Sequence, residues 1–224
     1  VSEFDHEPVP GLPGQLPEGE RLRWQGAPHW GALAVRAFHV RTVAIYFGLL
    51  IVFRMGYVLS AGESLKVALL SGLWLLLLCL MAIGILALMA WAFARSTIYS
   101  ITDRRVVIRF GVALPMAVNI PFKAIESAGL RRYARGIGDI PMALGDGHSV
   151  SFLILWPNVR PWRFFDAQPM LRCVPNVDQA ADILADALRK ATTEDEAART
   201  DSDTQGARRG GQTAQLGTAP ATGR

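Results

Sequence analysis

"AWAFARSTIYSITDRRVVIRFG", residues 90–111, changes character in its middle. Up to Ala94 the residues suit hydrocarbon, and from Ser96 onward apolar and polar residues alternate, with only Arg95 between the two regimes. A long charge-free run reads as a membrane span, and a period of two reads as a strand with one buried face. The stretch therefore predicts a transmembrane helix joined to a β-domain with almost no linker.

Working back from Arg95, the 28 residues 67–94 carry no charge. At ~1.5 Å per residue they make roughly 42 Å of helix, longer than the ~30 Å hydrocarbon core, so tilt or protrusion is expected. Residues 42–61 form a second candidate span, in which twelve uncharged residues precede Arg54. Arg54 lies near the far end, where its stem snorkels to the headgroups. Only "GESLK", residues 62–66, connects the runs, which leaves room for a helical hairpin turn and nothing larger. Arg21, Arg23, Arg36 and Arg41 precede the hairpin, Arg95, Arg104, Arg105 and Arg109 follow it, and the loop holds Lys66 beside Glu63. This bias places both termini in the cytoplasm. The opening "VSEFDHEPVPGLPGQLPEGE" is acidic and lacks the basic start and apolar core of a secretory signal, so the first apolar run is expected to be kept as an anchor.

Working forward, Tyr99 and Ile101 alternate with Ser100 and Thr102, and Val106, Ile108 and Phe110 alternate with Val107 and Arg109. That pattern is a β-hairpin with one apolar face. "AVNIPF", "ESAGLRRYA", "MALG", "HSVSFLILW" and "RFFDA" are strand-like and bounded by turn residues, bringing the expected total to about seven strands. "PNVDQAADILADALRKA" then reads as an amphipathic helix. Asn176 and Gln179 have capping-box spacing, and Val177, Ala180, Leu184, Ala187, Leu188 and Ala191 share one face. Arg189 and Lys190 suit its negative end. The expected fold class is an α+β membrane protein: a transmembrane helical hairpin followed by a pleckstrin-homology-like (PH-like) barrel or sandwich, capped by a C-terminal helix. The expected divisions are an N-terminal cytoplasmic segment 1–39, the hairpin 40–95, the PH-like cytoplasmic domain 96–191 and a tail 192–224. The tail's composition cannot bury enough apolar area to order it.

Composition agrees. Of 224 residues, 51% are hydrophobic, and the excess is concentrated in the two runs. A net charge of +4 without dense Lys/Arg clusters does not suit nucleic acid. Cys79 and Cys173 lie far apart with no Cys-x-x-Cys, so both read as packing residues. His6, His29, His39 and His148 show no metal-ligand spacing. "GIGDIPMALGDG" lacks the Lys-Ser/Thr of a phosphate-binding loop and the order of a dinucleotide fingerprint. The expectation is a protein that is not an enzyme and has no cofactor or metal. His39, at the edge of a span beside Arg41, reads as an interfacial polar anchor in preference to a pigment ligand. Two cationic groups stand out: Arg131, Arg132 and Arg135 in "RRYAR", and Arg160 and Arg163, which lie with Trp156 and Trp162 in "LWPNVRPWRFF". Arginine and tryptophan together suit a membrane–water interface or a protein contact. One reading makes them contacts for lipid or a client protein; the other is a solvated barrel surface with inward tryptophans.

"YSITDRRVVIRFG" followed by "NIPFKAIES" resembles the start of bacterial PH-like domains found beside membrane helices. "SEFDHEPVPGLPGQLPEGE", "WQGAP", "VRAFHVR" and "LWPNVRPWRF…PMLRCVP" are narrower and resemble the PuhB family, photosynthetic complex assembly proteins of purple bacteria. The resemblance runs from Ser2 to about Ala191. It implies a non-enzymatic factor of the bacterial inner (intracytoplasmic) membrane that promotes reaction-centre assembly, with a secondary effect on the light-harvesting antenna. Implied partners are reaction-centre subunits or other assembly factors, with self-association plausible on the same ground. On that reading Ala68, Ser71, Gly72 and Gly84 offer close-approach positions for client helices. The competing reading is a membrane-anchored module whose Arg131, Arg132 and Arg135 bind anionic lipid.

Overall fold

The computed structural model describes residues 16–112, 114–145, 151–161, 167–193 and 197. In chain order they form β1 (Leu22–Gly26), α1 (Trp30–Arg36), α2 (Val40–Ser60), α3 (Leu65–Ser96), β2 (Ile98–Thr102) and β3 (Arg105–Phe110). There follow β4 (Met116–Pro121), β5 (Ile125–Ala128), β6 (Arg131–Arg132), β7 (Gly138–Leu144), α4 (Phe152–Leu155), β8 (Met170–Val174) and a C-terminal helix α5 over residues 177–193.

The two apolar runs become α2 and α3, both long and apolar enough to cross a membrane. Small residues let the pair close. Ala68 is fully buried, and a Cβ on Gly72 would sit 3.1 Å from Met55 Sδ and 3.6 Å from Ile51 Cγ2 of α2. These two close-approach positions are therefore used inside the hairpin, whereas a Cβ on Gly84 would meet open space. The outward apolar side chains are bare: Phe53 is 76% exposed and Val52 70%.

α3 ends at Ser96 and β2 begins at Ile98, so Thr97 is the whole linker. β2 and β3 lie in the antiparallel sheet β1-β2-β3-β4, and β7 carries β5, β6 and β8 in the second sheet. Tyr99, Ile101, Val106, Ile108 and Phe110 of the first sheet meet Ile140, Met142, Leu171 and Val174 of the second. Val177, Ala180, Leu184 and Ala187 of α5 close the core, as the helical spacing requires. Gly138 permits a tight approach there, since a Cβ would lie 2.5 Å from Arg131 O and 2.7 Å from Val177 Cγ1.

Three expectations change. The described strands number eight, and the first comes from the segment expected to stand apart: Leu22 pairs with Thr102 and Gly26 with Tyr99. The β2–β3 hairpin is covered on both faces instead of one, because its polar residues are satisfied in place. Gln25 Nε2 of β1 donates to Ser100 Oγ at 3.0 Å, and Thr102 Oγ1 accepts from the Arg104 and Arg105 amides. "HSVSFLILW" is not a strand where described: Phe152–Leu155 form one helical turn that buries Leu155. Short apolar runs do not distinguish the two conformations. The strand expected at "RFFDA" and the tail expected from 192 fall almost wholly outside the described residues, although 192 and 193 still belong to α5.

A second apolar cluster welds the two parts together. Leu33, Ala34 and Phe38 from α1 and the turn after it pack on Ala90 and Ala94 of α3 and on Cys173 of β8.

Candidate functional site

The junction is built around α1. Its first turn is tied to the second sheet by the His29 amide, which donates to Cys173 O at 2.8 Å, while His29 Nδ1 caps the helix by accepting from the Ala32 amide. Its last turn is held by Arg172 of β8, whose guanidinium donates to Arg36 O at 3.0 Å and to Pro157 O at 2.9 Å. A charged donor on the exposed carbonyl end of a short helix satisfies groups that the helix itself leaves open. On the α3 side, Trp156 stands edge-on to Phe38 at 5.5 Å and to Phe93 at 5.7 Å. Trp156 is thus part of the joint and remains 39% exposed.

Beside this joint lies a cleft of about 750 Å³ between the α1–α2 turn and the β6–β7–β8 sheet. Arg36, Arg41, Arg131, Arg160 and Arg172 all line it. Arg36 lies over the Tyr133 ring at 4.1 Å, Arg131 over the same ring at 5.6 Å, and Arg160 donates to Gln168 Oε1 at 2.9 Å. Among the described residues none of the five forms an ion pair. The carboxylate in the lining, Asp139, is already engaged by Tyr133 OH at 2.6 Å and by the Cys173 amide at 2.7 Å.

Behind the cleft runs a buried polar network. Tyr99 OH donates to Asn158 Oδ1 at 2.7 Å and accepts from the Arg172 amide at 3.1 Å. Burial pushes the Tyr99 hydroxyl far above its usual range. Burial, reinforced by the hydrogen bond to Asp139, pushes Tyr133 up to about 12, and burial beside Asp139 pushes the Cys173 thiol up to about 12. A buried thiol kept protonated is a poor nucleophile. Among the described residues no group of three or more His, Cys, Asp or Glu could hold a metal ion.

The residues singled out in the sequence divide accordingly. Arg131 and Arg160 reach the cleft. Arg132 turns away to Asp178, with Nε–Oδ1 2.6 Å, and Arg135, in the left-handed region at φ 64°, does not line the cleft. Trp162 and Arg163 lie outside the described residues. Arg36, Arg41 and Arg172 were missed as site residues because they stand alone in sequence and converge only through the fold. A signal existed nonetheless: Arg36, His39 and Arg41 come from "VRAFHVR", Arg160 from "LWPNVRPWRF" and Arg172 from "PMLRCVP", all stretches that carry the narrower resemblance.

Two antiparallel sheets closed by a C-terminal helix are the architecture of a PH-like domain. The chain belongs to the bacterial PH domain family, whose model matches residues 43–188. It is also 38% identical over 189 residues to a protein of Rhodobacter capsulatus described as an uncharacterized 23.7 kDa protein in the puhA 5' region. The match covers 84% of this chain and 88% of that one. That location is where the PuhB gene lies, in agreement with the resemblance drawn from the sequence. No solved structure matches.

Proposed function

We propose that this protein is a non-enzymatic membrane assembly factor that promotes formation of the photosynthetic reaction centre, its effect on the light-harvesting antenna being secondary. The observation that carries this reading is the extended similarity to the protein from the puhA 5' region. The hairpin lies in the bacterial inner (intracytoplasmic) membrane, and the PH-like domain lies on its cytoplasmic side. Supporting insertion, α2 and α3 expose their apolar side chains nearly all round, which a core helix of a soluble protein does not do. The pairing of β1 with β2 requires residues on either side of the hairpin to share one compartment, as an even number of crossings provides.

The partners are reaction-centre subunits or other assembly factors, with association between copies of this chain also part of the proposal. Membrane helices associate through close packing, and the open face at Gly84 remains available for that. A hairpin holding client helices while a rigidly joined domain holds their cytoplasmic parts fixes register in two compartments at once.

The test is loss of the gene in its photosynthetic host, with reaction-centre and antenna absorbance measured beside subunit synthesis. Reduced reaction-centre absorbance at normal subunit synthesis, with a smaller antenna change, is expected. Unchanged reaction-centre absorbance would refute the assembly role.

A further inference from the structure

We infer that the junction cleft is a binding site for a phosphate-bearing anion, and that its occupant is the headgroup of an anionic phospholipid. Four observations converge. The cleft is lined by Arg36, Arg41, Arg131, Arg160 and Arg172 and, among the described residues, by one carboxylate, Asp139, whose oxygens are engaged by Tyr133 and Cys173. A concavity lined by one sign of charge concentrates counter-ions of the other.

The second observation is the start of α2, a helix of 21 residues whose N-cap, His39, makes no side-chain capping bond. The Val43 amide bonds to His39 O at 3.0 Å, while the amides of Val40, Arg41 and Thr42 have no partner among the described residues. His39, Arg41 and Thr42 line the cleft. Open amides at the positive end of a helix dipole make an anion site.

Third, Arg172 is only 7% exposed and also lines the cleft, yet its Nε has no hydrogen-bond partner among the described residues. A buried charge without full compensation is costly, and an anion in the cleft beside Arg172 offsets that charge at short range.

Fourth is position. Arg41 and Thr42 occupy the first turn of an apolar helix, so in a membrane this cleft opens at the level of the lipid phosphates. Basic pockets on the cytoplasmic side of membrane helices suit such headgroups, and the volume accommodates a headgroup with its glycerol. This step rests on the proposed insertion of α2; the anion chemistry of the cleft does not.

The experiment uses the full chain, purified in a neutral detergent. Arg41→Gln/Arg131→Gln alters two exposed cleft arginines, and Arg132→Gln/Arg135→Gln removes the same charge from positions that do not line the cleft. The probes are phosphatidylglycerol, phosphatidylcholine and inorganic phosphate, followed by native mass spectrometry and by titration. The parent chain and the Arg132/Arg135 variant should each hold phosphatidylglycerol in preference to phosphatidylcholine. The Arg41/Arg131 variant should bind it about 30-fold more weakly, at roughly 5-fold per charge. Equal affinity in both double variants, whether both retain or both lose the lipid, would overturn the site. Displacement of the lipid by inorganic phosphate at equal concentration would overturn the lipid source and assign the cleft to a free anion. Carbonate extraction of the same cells separates this inference from membrane insertion. Release of the protein overturns the headgroup, and phosphate titration of the released protein then decides the anion site.

Discussion

Replacing Trp156 by alanine tests whether the PH-like domain is oriented by the hairpin or only tethered to it. With 39% of the residue exposed, about three-fifths is covered, and Phe38 and Phe93 both stand edge-on to its ring. Taking roughly 250 Å² for a large aromatic side chain, some 150 Å² leaves water. At ~25 cal/mol/Å² that burial contributes about 4 kcal/mol, an upper bound for a chain that is partly compact when unfolded. The two edge-on ring contacts add ~0.5–1.5 kcal/mol each. Trp156→Ala should therefore destabilise the domain by about 3–5 kcal/mol, as measured by denaturation in detergent with circular dichroism. A double-mutant cycle with Phe93→Ala isolates the bond between the two parts, and its coupling should be ~0.5–1.5 kcal/mol. The functional consequence on the assembly reading is normal insertion and lower reaction-centre absorbance. Coupling indistinguishable from zero, or full assembly in Trp156→Ala cells, would refute an orienting joint. The same logic makes a ten-residue Gly/Ser insertion after Ser96 milder than one covalent link suggests. Its reach of roughly 17 Å is restrained by α1, which packs on both α3 and β8. Insertion combined with Trp156→Ala should lower assembly more than either change alone.

Glu20→Ala removes the partner of Arg105, to which Glu20 is bonded by two contacts of 2.8 Å with its side chain 2% exposed. A loss of about 1.5–3 kcal/mol is expected in the same denaturation assay, and none if the pair is incidental. Gly138→Ala forces β6 and Val177 apart and should cost ~1–3 kcal/mol, visible as faster amide exchange in α5. Alkali should also destabilise the fold. Tyr133 and Cys173 are each pushed up to about 12, above their unfolded values, so their contribution is complete below about pH 9 and is lost towards pH 12. Cys173→Ala and Tyr133→Phe should each flatten that alkaline limb in melts taken against pH. A periplasm-dependent reporter should be active at Gly62 and inactive at Ala191; the reverse would overturn the proposed topology.

Hydropathy made α2 and α3 plain because an apolar run of that length, charge-free in 67–94 and broken only by Arg54 in 42–61, has few other solutions, and alternation did the same for β2 and β3. β1 was harder. Leu22, Trp24 and Gly26 do alternate with Arg23 and Gln25, but five residues beside a Pro/Gly-rich opening carry no mark of a partner beyond two apolar helices. Phe152–Leu155 show the opposite problem, since an apolar run records burial without recording conformation. The cleft was the least legible. "RRYAR" drew attention as a cluster, yet Arg132 spends its charge on Asp178. Arg172 looks like one arginine in an apolar strand, and its importance depends on Arg36 O and Pro157 O, to which only folding brings it.

The register of β1 against β2 has a consequence in time as well as in space. Gly26 leaves the ribosome about 70 residues before Tyr99, the residue it must face. At roughly 5–20 residues per second the first strand waits some 4–14 s for its neighbour, and the whole hairpin is made during that wait. With the helices inserted as proposed, the sheet closes only when they have brought residue 98 back to the compartment that holds residue 26. A hairpin inserted by one crossing would strand the two halves of the sheet on opposite sides, leaving β1 and β2 without their shared edge and Glu20 without Arg105. On the proposed insertion, closure of this sheet therefore requires an even number of crossings, completed in the order in which the chain is read.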